Sequence, residues 1–398
     1  MNAGPAPRAC EVCGSTAKSV LFRQRFGGEL RGALLTGYDV VVCDSCGFGY
    51  ADRLPPQAAF DDYYERMSRY EHAREGGRES PYAERRFASA AGFIAGAVPD
   101  RSRAVLDVGC SSGALLHALG RQGFTHLLGL DPSPACARAG RELYGLRIET
   151  GTLARPPAEL PSGGLILLSA VLEHVRDLAG ALRQVRDMLT PDGIVYVEVP
   201  DATRFGAYPD APFQEFSVEH INYFSRTSLK NLLARHGFCE LSVRSVTTEQ
   251  GEGSSADVLM ALFAVADSPV PDPEHDAATR QALEGYIAAC RKADAATEAA
   301  LAPWAASHTP ILVWGVGTHT QRLLAEGPLA AVSIAAFVDS DTRHHHGVFH
   351  GAPVIGPHEV AGRTEPILVS SRFYQREIVR QIRDELGLAN ELILLYEP

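Results

Sequence analysis

The chain has 398 residues, a net charge of −11 and 21% charged residues. Its length predicts two or three domains, and its acidity argues against a general nucleic-acid-binding surface, which would carry an excess of Lys and Arg. No apolar run is long enough to cross a bilayer, and the first ten residues, MNAGPAPRAC, lack the apolar core of a signal peptide. We therefore expect a cytoplasmic protein that acts on a small molecule, without a nucleic-acid or membrane partner. The sequence leaves the oligomeric state open.

Two C-x2-C pairs lie near the start of the chain, at Cys10 and Cys13 and at Cys43 and Cys46. Each pair can place two thiolates on one side of a tight turn, and two such turns brought together give a tetrahedral four-sulfur site that suits Zn²⁺. A redox pair is the alternative, but neither pair has the strand–helix context of one. Because four thiolates leave no open coordination position, we predict a structural zinc in a domain of residues 1–58.

The segment RAVLDVGCSSGALLHALG predicts a buried strand, a glycine turn and the start of a helix, an arrangement that can bind a cofactor. The strand ends in Asp107, and Gly109 and Gly113 frame the turn. A second strand, in HLLGLDPSP, ends in Asp131, where an acidic side chain suits the hydroxyls of a ribose. GGLILLSAVLEHVRDL and PDGIVYVEVP add two more strands, which favours a doubly wound α/β sheet.

The motifs DVGCSSG, GLDPSP, LSAVLEHV and LTPDGIVYVEVP resemble those of class I S-adenosylmethionine (SAM) methyltransferases, in the same order and spacing. The resemblance implies a class I methyltransferase domain that spans residues 59–266 with a helical lead-in. It also implies a cofactor site formed by Asp107, Gly109, Cys110, Ser111, Gly113, Asp131, Pro132, Thr152, Leu153, Ser169 and Ala170. The pair Glu173–His174 is expected to cap a helix and line the cofactor pocket rather than carry chemistry. A nicotinamide or nucleotide-sugar enzyme is the alternative, but GCSSG breaks the G-x-G-x-x-G spacing that it would prefer.

The segment FQEFSVEHINYFS, residues 213–225, collects several groups that can move protons. It follows the fifth strand at the carboxyl edge of the sheet, where ligands of open α/β sheets bind. We therefore expect it to cover the methyl group of the donor, at the place where an acceptor would lie. The alternative is that its aromatic residues pack the segment while Glu219 and His220 hold the loop.

Zinc knuckles, a SAM domain, an EHxxYFS segment and a C-terminal α/β domain together resemble the sugar C-methyltransferases of deoxysugar biosynthesis, a branch of natural-product biosynthesis. The resemblance implies a nucleotide-linked 4-keto sugar as acceptor, with His220 as the base or enolate partner. Glu219 would orient His220 or bind a sugar hydroxyl, and Tyr223 is a weaker candidate. A tyrosine of the lead-in FDDYYERMSRYEH would also reach the site, either Tyr64 or Tyr70, and Tyr70 is preferred.

One departure from that family leaves the acceptor and the methylated atom open. The family commonly has a second histidine just before its Glu–His pair, where this chain has Ser217 and Val218. Methylation of oxygen or nitrogen on a sugar or another small natural product is therefore the alternative reaction. A protein of a different class, a zinc-ribbon sensor that binds SAM without transferring its methyl group, would have the same motifs.

The last part of the chain predicts a helical linker, residues 267–305, and a Rossmann-like domain, residues 306–398. PILVWGVGTHTQRLLAEG reads as strand, glycine turn and helix, and AAFVDSD ends a second strand at Asp339. Thr320 replaces the third glycine of a dinucleotide site. The family resemblance implies instead that this domain helps bind the nucleotide sugar, with contacts from His319 and Thr320. A purely supporting role is the alternative, and RHHHGVFHG is expected to be a surface loop.

Overall fold

The computed structural model describes residues 7–27, 34–67, 79–158, 160–207, 211–251, 254–266 and 270–396. The chain divides into two compact units. The first comprises Met1–Leu21, Val41–Phe205 and Glu219–Leu283, and the second comprises Phe22–Val40, Gly206–Val218 and Glu284–Pro398. The boundary at residue 219 divides the segment 213–225. Among the described residues, no helix is both long and apolar enough to cross a membrane.

The N-terminal strands are β1 (Lys18–Arg25), β2 (Gly37–Cys43) and β3 (Gly49–Asp52). They form a sheet in the order β1-β2-β3-β9, in which β9 is the short strand Asn222–Tyr223. The strands β3 and β9 are antiparallel, with Tyr50 opposite Asn222. This pairing joins the segment that follows His220 to the zinc-knuckle region within the first unit. Two helices then lead into the central sheet, α1 (Gln57–Met67) and α2 (Pro81–Ala97).

The central sheet and its helices occupy most of the first unit. Their bounds are β4 (Ala104–Val108), α3 (Ala114–Arg121), β5 (His126–Asp131), α4 (Pro134–Tyr144), β6 (Arg147–Thr150), β7 (Gly163–Ser169), α5 (Leu178–Met188), β8 (Leu189–Pro200), α6 (Arg226–Arg235), β10 (Phe238–Gly251) and β11 (Ser254–Val265). The strand order is β10-β11-β8-β7-β4-β5-β6. The strands β4 to β8 are parallel, and β11 is antiparallel to β8.

The central strands are buried on both faces, as expected of a parallel sheet covered by helices. Two apolar clusters lie on its opposite sides. One includes Leu106 and Ile166, and the other includes Val105 and Leu165, so that alternate residues of β4 and β7 enter different clusters. The predicted doubly wound α/β fold is confirmed. The carboxyl ends of β4, β5, β7 and β8 all meet at one edge of the sheet, which is where the candidate site lies.

The second unit carries its own sheet. After the long helix α7 (Ala277–Ser307) come β12 (Ile311–Trp314), α8 (Thr318–Ala325), β13 (Ile334–Val338), β14 (Val348–Phe349), β15 (Ala352–Ile355), β16 (Ile367–Val369), α9 (Gln375–Arg380) and β17 (Leu392–Leu394). The strand order is β14-β15-β13-β12-β16-β17. The pairs that β12 makes with β13 and β16 are parallel, which agrees with the Rossmann-like arrangement expected from the sequence. Two apolar clusters, around Val313 and around Trp314, cover its faces.

Candidate active site and metal centre

The four N-terminal thiols lie together. The Sγ atoms of Cys10 and Cys46 are 3.6 Å apart, those of Cys13 and Cys43 are 3.5 Å apart, and all four atoms lie within 4.8 Å of one another. A tetrahedral zinc site with Zn–S bonds of about 2.3 Å requires sulfur–sulfur distances of about 3.8 Å. The four thiols therefore fit a tetrahedral metal ion of this size.

Glycine is required at the turn that follows the second thiol pair. Gly47 has φ +82°, and a Cβ atom there would lie 2.0 Å from the carbonyl oxygen of Asp276. The amide of Asp276 in turn donates to the carbonyl of Cys46, at 2.9 Å. The thiol turn is thus held against the chain that precedes α7, and any side chain at position 47 would separate the two.

The predicted cofactor residues gather at the carboxyl ends of β4 and β5. The carboxylate of Asp131 is buried, and its two oxygens accept hydrogen bonds from the backbone amides of Ser111, at 2.8 Å, and Ser133, at 2.9 Å. Gly109 and Gly113 both have positive φ, as the predicted tight turn requires. Asp131 thus holds the turn after β4, and its contact with a ribose remains a prediction.

Two residues other than glycine adopt the left-handed conformation at this edge of the sheet, Ser111 with φ +51° and Ala170 with φ +55°. Such backbone is strained for a side chain and is concentrated at ligand-binding turns. Both residues belong to the predicted cofactor set, and the Ala170 amide is held by the carbonyl of Glu198, at 2.8 Å. Of the other predicted contacts, Thr152 caps its own turn by accepting from the Arg155 amide, at 3.0 Å, and Leu153 is buried.

The charge of this edge suits a cationic ligand. Asp107 is buried at the end of β4, and its pKa is raised well above the usual value by burial and by the charges of Asp131 and Glu198. SAM carries a sulfonium and an ammonium group, either of which a cluster of carboxylates would stabilise. The acidic residues at this edge, Asp107 and Asp131, therefore fit a cation such as SAM, and contact of either residue with it remains a prediction.

Glu198 is a buried residue that the sequence analysis did not single out. One of its carboxylate oxygens accepts from Arg86 Nε, at 2.6 Å, and the other from the Tyr196 hydroxyl, at 2.6 Å. Arg86 belongs to α2, so this ion pair ties the lead-in to the end of β8. The signal that could have identified Glu198 is its place in VYVEVP, where one acidic residue interrupts an otherwise apolar strand.

The two Glu–His pairs of the chain come together beyond the carboxyl end of β7. The imidazole rings of His174 and His220 meet edge to face, with centroids 5.0 Å apart. His174 Nδ1 donates to the backbone carbonyl of Glu219, at 3.0 Å, because a carbonyl oxygen can only accept. The Ile221 amide donates to the carbonyl of Glu173, at 2.8 Å. The turn after β7 therefore places a second imidazole beside His220.

Glu173 is buried beside these rings. Burial raises its pKa to about 8, and its Oε2 atom has no hydrogen-bond partner among the described residues. Its Oε1 atom lies 3.9 Å from His174 Nε2. The ligand atoms of Glu173, His174 and His220 lie within 4.8 Å of one another, so this group could bind a metal ion as well as exchange protons.

The lead-in helix α1 adds two phenols. The hydroxyl of Tyr63 donates to Glu219 Oε1, at 3.0 Å, and the ring of Tyr64 meets the ring of His174 with centroids 5.9 Å apart. The preferred lead-in tyrosine, Tyr70, lies outside the described residues. Tyr63 was not singled out from the sequence. The available signal is that Tyr63 and Tyr64 are neighbours in FDDYYERM, so their side chains leave the helix in different directions.

The remaining residues of the segment 213–225 are packed. Tyr223 is buried in β9, with its ring 6.2 Å from that of Phe205, and a catalytic role for it remains a prediction. Ser225 caps α6 and donates to Asp276 Oδ2, at 2.5 Å. In the second unit, Phe213 stacks on Phe22 with ring centroids 4.2 Å apart. The segment thus contains one Glu–His pair and several packed aromatic residues.

The carboxyl edge of the second sheet contains the residues that the sequence assigned to acceptor contacts. His319 is buried, and its Nε2 atom lies 2.8 Å from the Tyr396 hydroxyl. Burial and the charge of Arg322 lower its pKa to about 3. The Thr320 hydroxyl donates to the Gly315 carbonyl, at 2.7 Å, so Thr320 holds its own turn. Contact of either residue with an acceptor remains a prediction.

Comparisons with known proteins agree with this geometry. Residues 82–243 match a family described as "Methyltransferase domain", and residues 307–394 match one described as "C2185-like, N-terminal". The chain is 31% identical over 170 residues to the C-methyltransferase NovU of Streptomyces niveus. The matched region covers 42% of this chain and 39% of that protein. It is 32% identical over 114 residues to the ubiquinone biosynthesis O-methyltransferase of Azorhizobium caulinodans, covering 26% of this chain and 43% of that protein.

The chain thus spans less than half the length of these curated relatives. Among solved structures, 1,6-didemethyltoxoflavin-N1-methyltransferase of Burkholderia thailandensis, with bound S-adenosylhomocysteine, is 17% identical with a TM-score of 0.41. The match covers 56% of this chain and 97% of that one. The family match falls on the sheet and on the turns that carry Asp107, Asp131 and both Glu–His pairs. Residues 82–243 of this chain therefore form a methyltransferase domain.

Proposed function

We propose that this protein is a SAM-dependent methyltransferase that methylates a carbon atom next to the ketone of a small nucleotide-linked sugar. The observation that carries the proposal is the convergence of Glu173–His174 with Glu219–His220 beyond the carboxyl end of β7. Methylation of carbon needs a base and a proton donor at one place, and this cluster offers both. The similarity to a protein named a C-methyltransferase supports the same reaction.

Each group in the cluster has a distinct role in this proposal. Bound SAM supplies an electrophilic methyl group. His220 removes the proton from the carbon next to the ketone, because an imidazole titrates near neutral pH. His174, held by its bond to the Glu219 carbonyl, keeps its Nε2 atom toward Glu173. Glu219 is held by Tyr63 and binds a hydroxyl of the acceptor.

Glu173 is the proposed donor to the enolate oxygen. With a pKa of about 8 it is mostly protonated at neutral pH, and its partnerless Oε2 is free to donate. A carboxylic acid kept neutral by burial can stabilise a developing oxyanion without adding a fixed charge. The base and the donor would thus come from the two different Glu–His pairs.

Two further assignments belong to this proposal. The four N-terminal thiols bind a structural Zn²⁺, since four sulfur ligands favour zinc and leave no open position. Unpaired thiolate ligands persist in a reducing compartment, which supports a cytoplasmic location. Transfer to oxygen or nitrogen is the second candidate reaction, favoured by the similarity to ubiquinone biosynthesis O-methyltransferases.

The decisive experiment offers a panel of nucleotide-linked 4-keto sugars in deuterium oxide, first without SAM and then with isotopically labelled SAM. We expect exchange of the proton next to the ketone before SAM is added and a labelled carbon–methyl bond afterwards. His220→Asn should lose both, whereas His126→Asn, at the opposite end of β5, should keep both. A label on oxygen or nitrogen would establish the second reaction. Binding of SAM without transfer to any acceptor would identify a sensor and overturn the proposal.

A further inference from the structure

Asn222 lies between the two Glu–His pairs. Its side chain is buried in β9, and its Nδ2 atom donates two hydrogen bonds, to the carbonyls of Leu172, at 2.8 Å, and Val175, at 2.7 Å. Those two carbonyls flank Glu173 and His174 on either side. One amide group therefore spans the short 3₁₀ turn that carries the first Glu–His pair, and it does so from the strand that follows the second pair.

The orientation of this amide is fixed by Arg8. The Nη2 atom of Arg8 donates to Asn222 Oδ1, at 2.5 Å. A guanidinium can only donate, so the oxygen of the amide must face Arg8 and its nitrogen must face the turn. The two carbonyls can only accept, so they also require the nitrogen on their side. Arg8 thus reinforces the orientation in which Asn222 makes its two bonds.

Arg8 is itself held firmly. It is buried, its backbone amide donates to Asp52 Oδ1, at 2.8 Å, and its carbonyl accepts from Lys18 Nζ, at 2.7 Å. It lies two residues before Cys10, at the start of the first thiol pair. The N-terminal region therefore reaches the candidate active site through one side chain rather than only supporting the sheet.

We infer that Asn222 is a positioning residue, oriented by Arg8, that fixes His174 as the Nδ1–H tautomer and holds it against His220. The bond from His174 Nδ1 to the Glu219 carbonyl requires the turn 172–175 to stay at its present distance from the strand. Asn222 supplies two of the hydrogen bonds that keep it there, and the Ile221 amide supplies a third. The catalytic part of this inference rests on the proposed function, whereas the geometric part does not.

Asn231 provides a matched control within the same unit. It too lies in a buried position and makes two hydrogen bonds with its amide, donating to the Glu274 carbonyl, at 2.7 Å, and accepting from the Glu274 amide, at 3.1 Å. It is in α6 and contacts neither Glu–His pair through these bonds. Its replacement therefore reports the general cost of losing a buried asparagine.

The primary test is the imidazole ¹⁵N spectrum of the full chain labelled at histidine, recorded at a pH where His174 is neutral. The chain has 14 histidines, and His174 is assigned by its loss in His174→Gln. Wild type and Asn231→Leu should show His174 with the proton on Nδ1. Asn222→Leu and Asn222→Asp, which cannot donate, should move most of the population to the Nε2–H tautomer.

Two Arg8 variants test the orienting role. Arg8→Met should have the same effect on His174 as Asn222→Asp, whereas Arg8→Lys, which keeps a donor, should largely restore the wild-type signal. An unchanged Nδ1–H tautomer in Asn222→Asp would overturn the inference. Asn222→Asp preserves the shape of the side chain, so it remains informative if Asn222→Leu does not fold.

Methyl transfer from labelled SAM to an accepted nucleotide-linked sugar separates the inference from the proposed function. We expect Asn222→Asp to lower kcat by about tenfold or more with a small change in KM for SAM, because only the reacting groups lose their positions. If the tautomer changes in Asn222→Asp but the wild-type protein transfers no methyl group, the proposed function is wrong and the positioning role still holds. Transfer that proceeds at the wild-type kcat in Asn222→Asp would instead refute the catalytic part of the inference.

Discussion

The Nδ1 atom of His174 donates to the backbone carbonyl of Glu219 at 3.0 Å, so one Glu–His pair is hydrogen-bonded to the main chain of the other. The two pairs are 46 residues apart in the sequence. Their union gives the candidate site two imidazoles, a buried carboxylic acid and a second carboxylate held by Tyr63. The Glu–His cluster, the proposed SAM site and the thiol site can each be tested separately.

Replacing the proposed base should abolish transfer without disturbing the donor site. We expect His220→Asn to lower kcat by roughly 100-fold or more, the usual range for removal of a general base. SAM affinity, measured by calorimetry, should stay within about twofold of wild type because His220 lies outside the turns that hold Asp131. Equal losses of kcat in His220→Asn and in the control His126→Asn would contradict this role.

Asp131 should matter for SAM binding more than for folding of the sheet. Asp131→Asn keeps the shape but loses the negative charge that two backbone amides share. Hydrogen bonds to a charged group contribute about 1.5–3 kcal/mol, so the Kd for SAM should rise by roughly tenfold or more. Asp192→Asn, at an exposed carboxylate, serves as the control. A Kd unchanged in Asp131→Asn would place the ribose elsewhere.

The thiol site should hold one zinc ion for each chain. Elemental analysis of the purified protein should find one zinc, and Cys43→Ser should lose it and lower the melting temperature, since a structural metal contributes directly to folding. Cys239→Ser, at an exposed thiol, should keep the metal. Glu173→Gln should also leave the content at one. A second ion that Glu173→Gln removes would show that the Glu–His cluster binds metal.

Glu173 should make stability depend on pH in a predictable direction. Its pKa is about 8 in the folded protein and about 4.5 for the free side chain, so between these values the folded state holds a proton that the unfolded state releases. The free energy of unfolding is therefore highest below pH 4.5. It falls by about 1 kcal/mol for each pH unit as the pH rises toward 8. The gap between wild type and Glu173→Gln should widen over that interval in denaturant titrations. The control Glu142→Gln, at an exposed site, should give a plot of stability against pH that runs parallel to that of wild type. A parallel plot for Glu173→Gln would show that Glu173 is not buried as described.

His319 should act in the opposite sense in the second unit. Its pKa is lowered from 6.5 to about 3, so the unfolded state binds a proton that the folded state excludes. The stability of wild type should therefore fall as the pH drops from 6.5 toward 3, relative to His319→Asn. The exposed His358→Gln variant provides the baseline. An equal acid sensitivity in His319→Asn would mean that another group limits stability.

The central sheet could be predicted because its signals are local. Apolar runs that end in Asp107 and Asp131, followed by turns, predict parallel strands with ligand-binding ends. In the structure β5 ends at Asp131, and β4 ends one residue after Asp107. The four thiols could be grouped for the same reason, since the spacing within each C-x2-C pair already sets two ligands on one turn. In both cases the chemistry depends on residues close together in the chain.

The composition of the candidate site around the two Glu–His pairs could not be predicted in the same way. The sequence separates Glu173–His174 from Glu219–His220 and gives no sign that the two meet, and it assigned the first pair to a helix cap. Tyr63, Arg8 and Asn222 were missed for a related reason. Each acts through a bond to a residue more than 150 positions away or, for Asn222, through two main-chain carbonyls about 50 positions earlier.

The sequence by itself determined the class of fold, the acidic cofactor turn and the clustering of thiols, because periodicity, glycine turns and short spacings act over a few residues. Only the tertiary structure decided which imidazole stands beside His220, which phenol holds Glu219 and which buried asparagine ties the two pairs together. Those choices depend on the order of strands in the sheet and on the pairing of β3 with β9. Hydrogen bonds between distant segments are fixed by that packing, and no local pattern of residues encodes them.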